Sequence, residues 1–236
     1  MKKILSIVIA AVLAFTMTAI LAAAEEELPT YVLDKAVTEA GNLPEGYSFV
    51  VIDKASGEVK AMEYKGSTDF NPGRNVWCYV NADGSIWDYA YCFIHQSQSG
   101  CTMHPANNGD PAVCFTAPKS GTIEINYVSF GGQTTRLEFY KNTYSAEAKF
   151  EEHVTADPGN GTDFKATVDV KKGDRIYVAL DCMDDNAGDE TNAWVNSVVY
   201  TSVSPETSDA TVSVAVAAVA VAAAGLAVAL VPKKEH

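Results

Sequence analysis

Residues Ala112–Phe130, AVCFTAPKSGTIEINYVSF, decide the reading of this chain: two apolar runs separated by Pro118 and Gly121. Pro fixes φ and Gly supplies backbone conformations that other residues resist, so the pair predicts a tight turn between two strands. Beyond the turn, Thr122–Phe130 alternates. Ile123, Ile125, Tyr127 and Ser129 face one way, Glu124, Asn126 and Val128 the other. A period of two is the pattern of a strand with one face on a core.

The pattern continues on both sides. YSFVVID (47–53) and VKAMEY (59–64) flank a break ending at Gly57, and VWCYV (76–80) and IWDYAYCFI (86–94) flank an Asp-Gly turn signal. TRLEFYK (135–141), FKATVDV (164–170), DRIYVALDC (174–182) and NAWVNSVVYT (192–201) complete the set. No long stretch between 47 and 201 carries a 3.6-residue apolar period. About ten closely spaced strands predict an all-β chain, a β-sandwich or jelly roll over 47–203, preceded by a lead-in over 25–46. His95–Asp110 and Asn142–Asp163 are expected as two long loops, and loops on such scaffolds are where ligands are met.

The ends carry a different signal. Lys2 and Lys3 precede an uncharged run from Ile4 to Ala24 that closes on Ala22-Ala23-Ala24, and Glu25-Glu26-Glu27 follows. Cationic start, apolar run and small-residue site describe a secretory signal peptide over 1–24. The run is also long enough for a retained anchor. Ala210–Val231 is a second uncharged run, of transmembrane length, with Lys233 and Lys234 in the basic tail 232–236. Export, with the C-terminus held at the plasma membrane or cell wall, is the expectation.

Ahead of this span, residues 204–209 read SPETSD. Motif, apolar span and basic tail resemble the sorting signals of Gram-positive surface proteins, x-P-x-T-G, in which a sortase cuts after Thr and joins it to the wall. Pro205 and Thr207 match that pattern; Ser208 stands where it has Gly. The resemblance implies an anchoring role for Pro205, Thr207 and Ser208, and wall linkage and membrane retention remain alternatives.

Between the ends, residues 25–209 hold 13 of the 17 Lys+Arg and 29 of the 30 acidic residues, a net charge of −16. Such a surface repels nucleic acid and anionic lipid, and there is no basic patch for phosphate, so nucleic-acid binding is excluded. Five cysteines (78, 92, 101, 114 and 182) form no C-x-x-C pair and no zinc spacing. Neighbours such as Cys78–Cys92 or Cys101–Cys114 are candidates to staple adjacent strands, with connectivity open.

A further set of blocks resembles β-sandwich modules of the carbohydrate-binding type, found on exported and wall-attached proteins of clostridia. The blocks are His104-Pro105, Thr116-Ala117-Pro118 with Gly121, Val170 to Val178 with Gly173-Asp174, and Trp194 with Val198-Val199-Tyr200. The resemblance spans roughly residues 95–201 and implies a sandwich fold and a non-catalytic binding role. Its motif residues are structural and do no chemistry.

Candidate chemistry is sparse. Trp77, Trp87, Tyr89 and Trp194 are candidate sugar-stacking surfaces, because the apolar C–H faces of sugars pack on aromatic rings. The alternative for Trp87, Tyr89, Tyr91 and Phe93, which share one strand face, is the core. Asp181, Asp184, Asp185 and Asp189 offer the carboxylate oxygens that Ca2+ prefers, against the alternative of a solvated acidic turn without the EF-hand spacing. No hydrolase motif appears, and no carboxylate pair is singled out among 29 acids. The expectation is a non-enzymatic surface module binding glycan or a wall or host polymer; the alternative is a structural or adhesive protein with protein partners.

If a sortase reads this C-terminus, Ser208→Gly raises the wall-linked fraction in a Gram-positive host, measured by separating wall and membrane extracts. An unchanged distribution shows that no sortase acts there.

Overall fold

The alternation in 122–130 becomes the spine of the smaller of two facing sheets. A computed structural model describes residues 27–33, 41–66, 76–86, 92–97, 100–130, 135–155, 162–183 and 192–204. Fourteen strands run in order through them: β1 (Thr30–Val32), β2 (Tyr47–Asp53), β3 (Val59–Ala61), β4 (Glu63–Gly66), β5 (Val76–Cys78), β6 (Phe93–Ser97) and β7 (Gly100–His104), then β8 (Gly109–Thr116), β9 (Gly121–Phe130), β10 (Thr135–Lys141), β11 (Lys149–Thr155), β12 (Thr162–Val170), β13 (Arg175–Asp181) and β14 (Asn192–Val203).

All pairings among the named strands are antiparallel, in sheets ordered β1-β14-β9-β12, β11-β10-β13-β8-β2-β3 and β4-β5-β6-β7. The first two face each other across one core. Phe49, Val51, Val113, Phe115, Leu137, Phe139, Ile176 and Leu180 come from the six-stranded sheet, and Ile123, Ile125, Tyr127, Val195, Val198 and Tyr200 from the four-stranded one. Burying each such side chain contributes about 1.5–3 kcal/mol. The chain is an all-β sandwich with a third sheet at its flank, and Ile94, Met103 and Cys92 of that flank enter the same core.

The outer face of the six-stranded sheet is also covered. Val50, Ile52, Ala112, Cys114, Tyr140, Tyr177 and Ala179 form a second buried cluster. Burial on both faces explains the unbroken apolar run Phe49–Ile52, which a one-sided strand would not carry.

Three blocks of the sandwich resemblance, 116–121, 170–178 and 198–200, meet at one end. Gly173 N donates to Ala117 O (2.7 Å), and Ala117 N donates to Asp174 O (2.8 Å). Asp174 also accepts from the Lys171 amide at 2.8 Å, which closes the turn that positive-φ Gly173 permits. Tyr200 Oη donates to Lys119 O at 2.8 Å. Gly121 faces the backbone of β14 so closely that a Cβ there would lie 2.0 Å from Ser202 O. Glycine is fixed by this contact as well as by the turn.

Three expectations change. The strand predicted over 59–64 divides at Met62, a buried corner whose amide bonds Phe49 O while the chain passes from one sheet to another. The stretches expected as loops contain β7 and β11; β11 lies at a sheet edge with Glu151 and Glu152 exposed, so its sequence lacks clean alternation. The lead-in supplies β1, whose Tyr31 packs on Phe115 and Tyr200. Residues 1–26 and 205–236, on which the expected signal peptide, nearly all of the expected sorting motif and the apolar span fall, lie outside the described residues. Among the described residues no helix is long and apolar enough to cross a membrane.

Gly121→Ala is expected to cost about 2–4 kcal/mol, a fall in Tm of about 5–12 °C by calorimetry, because rigid backbone must move. An unchanged Tm would show that β14 yields freely at this point.

Candidate functional site

Strand direction sorts the connections into two ends. The chain leaves β14 beside Ser120, where Ser204 N bonds Ser120 O at 2.9 Å, and Pro29 O accepts from Tyr200 N at 2.9 Å. Both termini of the sandwich therefore sit at the end formed by 117–121 and 171–174. At the opposite end, the segments 131–134, 156–161 and 184–191 join strand ends that lie together: Thr135 pairs with Thr155, Thr162 with Ser129, Asn192 with Phe130 and Arg136 with Asp181. Cys92 lies at the same end, its Sγ 3.5 Å from Gly109 O.

This far end is built on a closed ring of charge over the outer face of the six-stranded sheet. Arg136 and Glu138 alternate with Tyr140 along β10, and Asp110 and Asp181 lie toward the matching ends of β8 and β13. Lys54, just past β2, donates to Asp181 and lies 3.1 Å from Asp110 Oδ1. Arg136 donates to Asp181 Oδ2 at 2.7 Å and lies 2.8 Å from Glu138 Oε1, which Lys149 approaches at 3.2 Å. Tyr140 Oη donates to Glu138, and Tyr144 Oη donates to Asp110 Oδ2 at 2.9 Å. The Tyr140 and Tyr144 rings pack with centroids 4.6 Å apart, closing the circuit.

Three buried carboxylates are balanced by three cations whose side chains keep partial contact with water. Asp110 is completely buried, and desolvation pushes its carboxyl up to about 7 despite the opposing pull of Lys54. Burial alone would lower Lys54, yet Asp110 and Asp181 hold it above the usual lysine range. Asp181 is desolvated, which would raise its carboxyl, yet Lys54, the Met183 amide and Arg136 together hold it below the usual carboxylate range. Breaking one partner of a buried ion pair typically costs about 3–5 kcal/mol. The loop 142–148 folds over this surface, and a Cβ on Gly57 at the β2–β3 turn would lie 3.7 Å from Tyr144 O.

The sequence-nominated residues fall unevenly on this frame. Trp77 is half-buried, packed edge-on against Phe49 (centroids 5.3 Å) and tilted on Tyr64 (5.5 Å), at the margin of the main core. Trp87 and Tyr89 lie outside the described residues. Trp194 stands on β14 opposite Val128. Asp181 is engaged by Lys54 and Arg136, while Asp184, Asp185 and Asp189 lie outside the described residues. Among the described residues no group of three His, Cys, Asp or Glu is placed to hold a metal ion.

Phe93, expected on a core face, belongs with Val76 and Cys78 to a small separate cluster, whereas its neighbour Cys92 enters the main core. Sequence reasoning missed Lys54, Asp110, Tyr140 and Tyr144. The alternation Arg136-Glu138-Tyr140 was the available signal for a polar face, but nothing local showed that a loop would cover it.

The sequence matches no protein-family model and no curated relative. Among solved structures, the chain is similar to a native family 35 carbohydrate-binding module from Clostridium thermocellum, at 12% identity over 66% of this chain and 99% of that one, TM-score 0.31. The C-terminal CBM6 of LamC, a marine laminarinase from Zobellia galactanivorans, is similar at 17% identity over 65% and 99%, TM-score 0.30. The CBM51-2 and INT domains of Clostridium perfringens ZmpB, in complex with GlcNAc, are similar at 11% identity over 60% of this chain, TM-score 0.30, and the chain spans only 28% of that structure's length. Likeness at this level carries no inference about ligand, and the sandwich stands on its own strand registers.

The folded value of Asp110 lies above its unfolded value near 4, so between pH 4 and 7 the native state keeps a proton that the unfolded chain has released. Its contribution to stability therefore falls as pH rises through that window. Wild-type stability minus that of Asp110→Asn, from urea unfolding, is expected to drop by on the order of 2–4 kcal/mol from pH 4 to pH 8. A difference independent of pH would contradict the assignment.

Proposed function

We propose that this chain is a non-catalytic binding module, exported and held at the cell surface by its C-terminus, that takes carbohydrate or a related wall or host polymer at the end of the sandwich away from its anchor. The observation that supports this most is the segregation of the two ends. Both termini of the domain leave beside 117–121. The described residues on either side of the acidic run 184–191 lie at the opposite end, as does Cys92, which follows Trp87 and Tyr89 in the sequence, and Trp194 is the third residue of β14 from that side.

A module tethered at one end and bearing aromatic and acidic segments at the other would present those groups outward. Aromatic rings supply apolar faces for sugar C–H groups, and carboxylates accept sugar hydroxyls. Asp181 belongs to the rigid base of this end rather than to its ligand surface, because Lys54 and Arg136 occupy its oxygens. Trp77 serves packing at the core margin. The remaining acidic residues of the proposed Ca2+ site, Asp184, Asp185 and Asp189, retain that role within the proposal.

A glycan array probed with the full-length chain in mild detergent tests the reading. The expected outcome is binding to at least one polysaccharide class, weakened at least tenfold by Trp87→Ala or Trp194→Ala, with Trp77→Ala lowering Tm instead. Failure to bind any glycan would move the assignment to an adhesive protein with protein partners. A Tm unaffected by chelator would remove Ca2+ from the proposal.

A further inference from the structure

Two thiols converge on one turn at the far end of the sandwich. Ala106 and Gly109 form an isolated antiparallel bridge, with Ala106 N to Gly109 O at 2.8 Å and Gly109 N to Ala106 O at 3.2 Å. Cys92 Sγ reaches Gly109 O at 3.5 Å, and Cys182 Sγ reaches Ala106 O at 3.5 Å. The strand ladders agree. Phe93 pairs with His104 on one side of the turn, and extending the β13–β8 register from Ala179↔Ala112 carries Cys182 to Gly109 on the other. Both thiols are free and buried.

We propose that Cys92 and Cys182 are a redox pair that forms a disulfide, tying the strand into β6 to the end of β13 across the 105–109 turn. The pairing suggested by sequence proximity, Cys78 with Cys92, is disfavoured by the structure. Cys78 lies with Val76 and Phe93 in the flank cluster, whereas Cys92 points into the main core. Cys114 is remote from the turn in another sense, on the covered outer face with Tyr177 and Ala112.

Cys182 is the attacking thiol. It precedes exposed Met183, and the Lys54 ammonium donates to its sulfur at 3.5 Å. The thiolate of Cys182 attacks one sulfur of a small-molecule disulfide such as oxidised glutathione, forming a mixed disulfide and expelling one thiolate. The thiolate of Cys92 then attacks Cys182 Sγ, forming the Cys92–Cys182 bond and expelling the second. The two cysteines lose two electrons and two protons together; the small disulfide gains both, leaving as two reduced thiols. Burial raises both thiol pKa values, which slows the exchange while the sandwich is closed.

The test is refolding of the full-length chain in detergent with a mixture of oxidised and reduced glutathione, alkylation of residual thiols, and peptide mapping without reduction. The expected result is one linked peptide pair joining Cys92 to Cys182, with Tm about 5–15 °C above the reduced protein. A variant carrying Cys78→Ser, Cys101→Ser and Cys114→Ser should give the same link. Recovery of Cys92 and Cys182 as separately alkylated peptides from folded wild-type protein would overturn the proposal, as would a dominant link from either of them to Cys78, Cys101 or Cys114.

Discussion

One buried ammonium holds two carboxylates together at the end of this sandwich. Asp110 and Asp181 stand on adjacent strands, both shielded from water, and two like charges so placed would drive the strand ends apart. Lys54 lies against both, and Arg136 completes the neutralisation from β10. The circuit runs on through Glu138 and Tyr140, and Tyr144 brings the loop 142–148 back onto Asp110. Tyr144 thereby fixes the loop 142–148 over the outer apolar layer. Replacing a buried ion pair by apolar groups of similar volume is often neutral or stabilising. What the charges add here is directional pairing between the strand ends.

That arrangement gives the two ends of the domain different characters. The end at 117–121 is closed largely by backbone contacts: the Ala117–Gly173–Asp174 pairings and the approach of β14 to Gly121, with the Tyr200 hydroxyl bonded to Lys119 O. These serve geometry and leave little room for change. The far end is held by side chains: the charge pairs of Lys54 and Arg136 and the hydroxyls of Tyr140 and Tyr144. The proposed thiol pair belongs to the same logic, since it would fasten the 105–109 turn to β13.

Much of the fold was legible in the sequence. β2 and β10 match their predicted limits, and β9 and β13 differ by a residue at one or both ends, because short apolar runs, alternating in β9 and continuous in β2 and β13, are bounded by Gly, Pro or Asn. The failures have physical causes. β11 is an edge strand whose exposed glutamates mask its alternation, and β1 is three residues long, too short for any period to show. Met62 is apolar within an apolar run, so nothing local marks the corner at which the chain changes sheets. The site was less legible than the fold. Lys54 and Asp110 are 56 residues apart in the sequence and meet only because β2 pairs with β8 in a register that places Asp53 against Gly109. Single-residue reasoning reads each as a solvated charge.

A double-mutant cycle on Lys54→Met and Asp110→Asn, followed by urea unfolding at pH 7, tests most directly whether this charge closure holds the far end. The account predicts that Lys54→Met alone costs about 3 kcal/mol or more and that much of the loss is recovered when Asp110 is neutralised as well, a coupling of at least about 1.5 kcal/mol. Additive losses, with no coupling between the two positions, would contradict it.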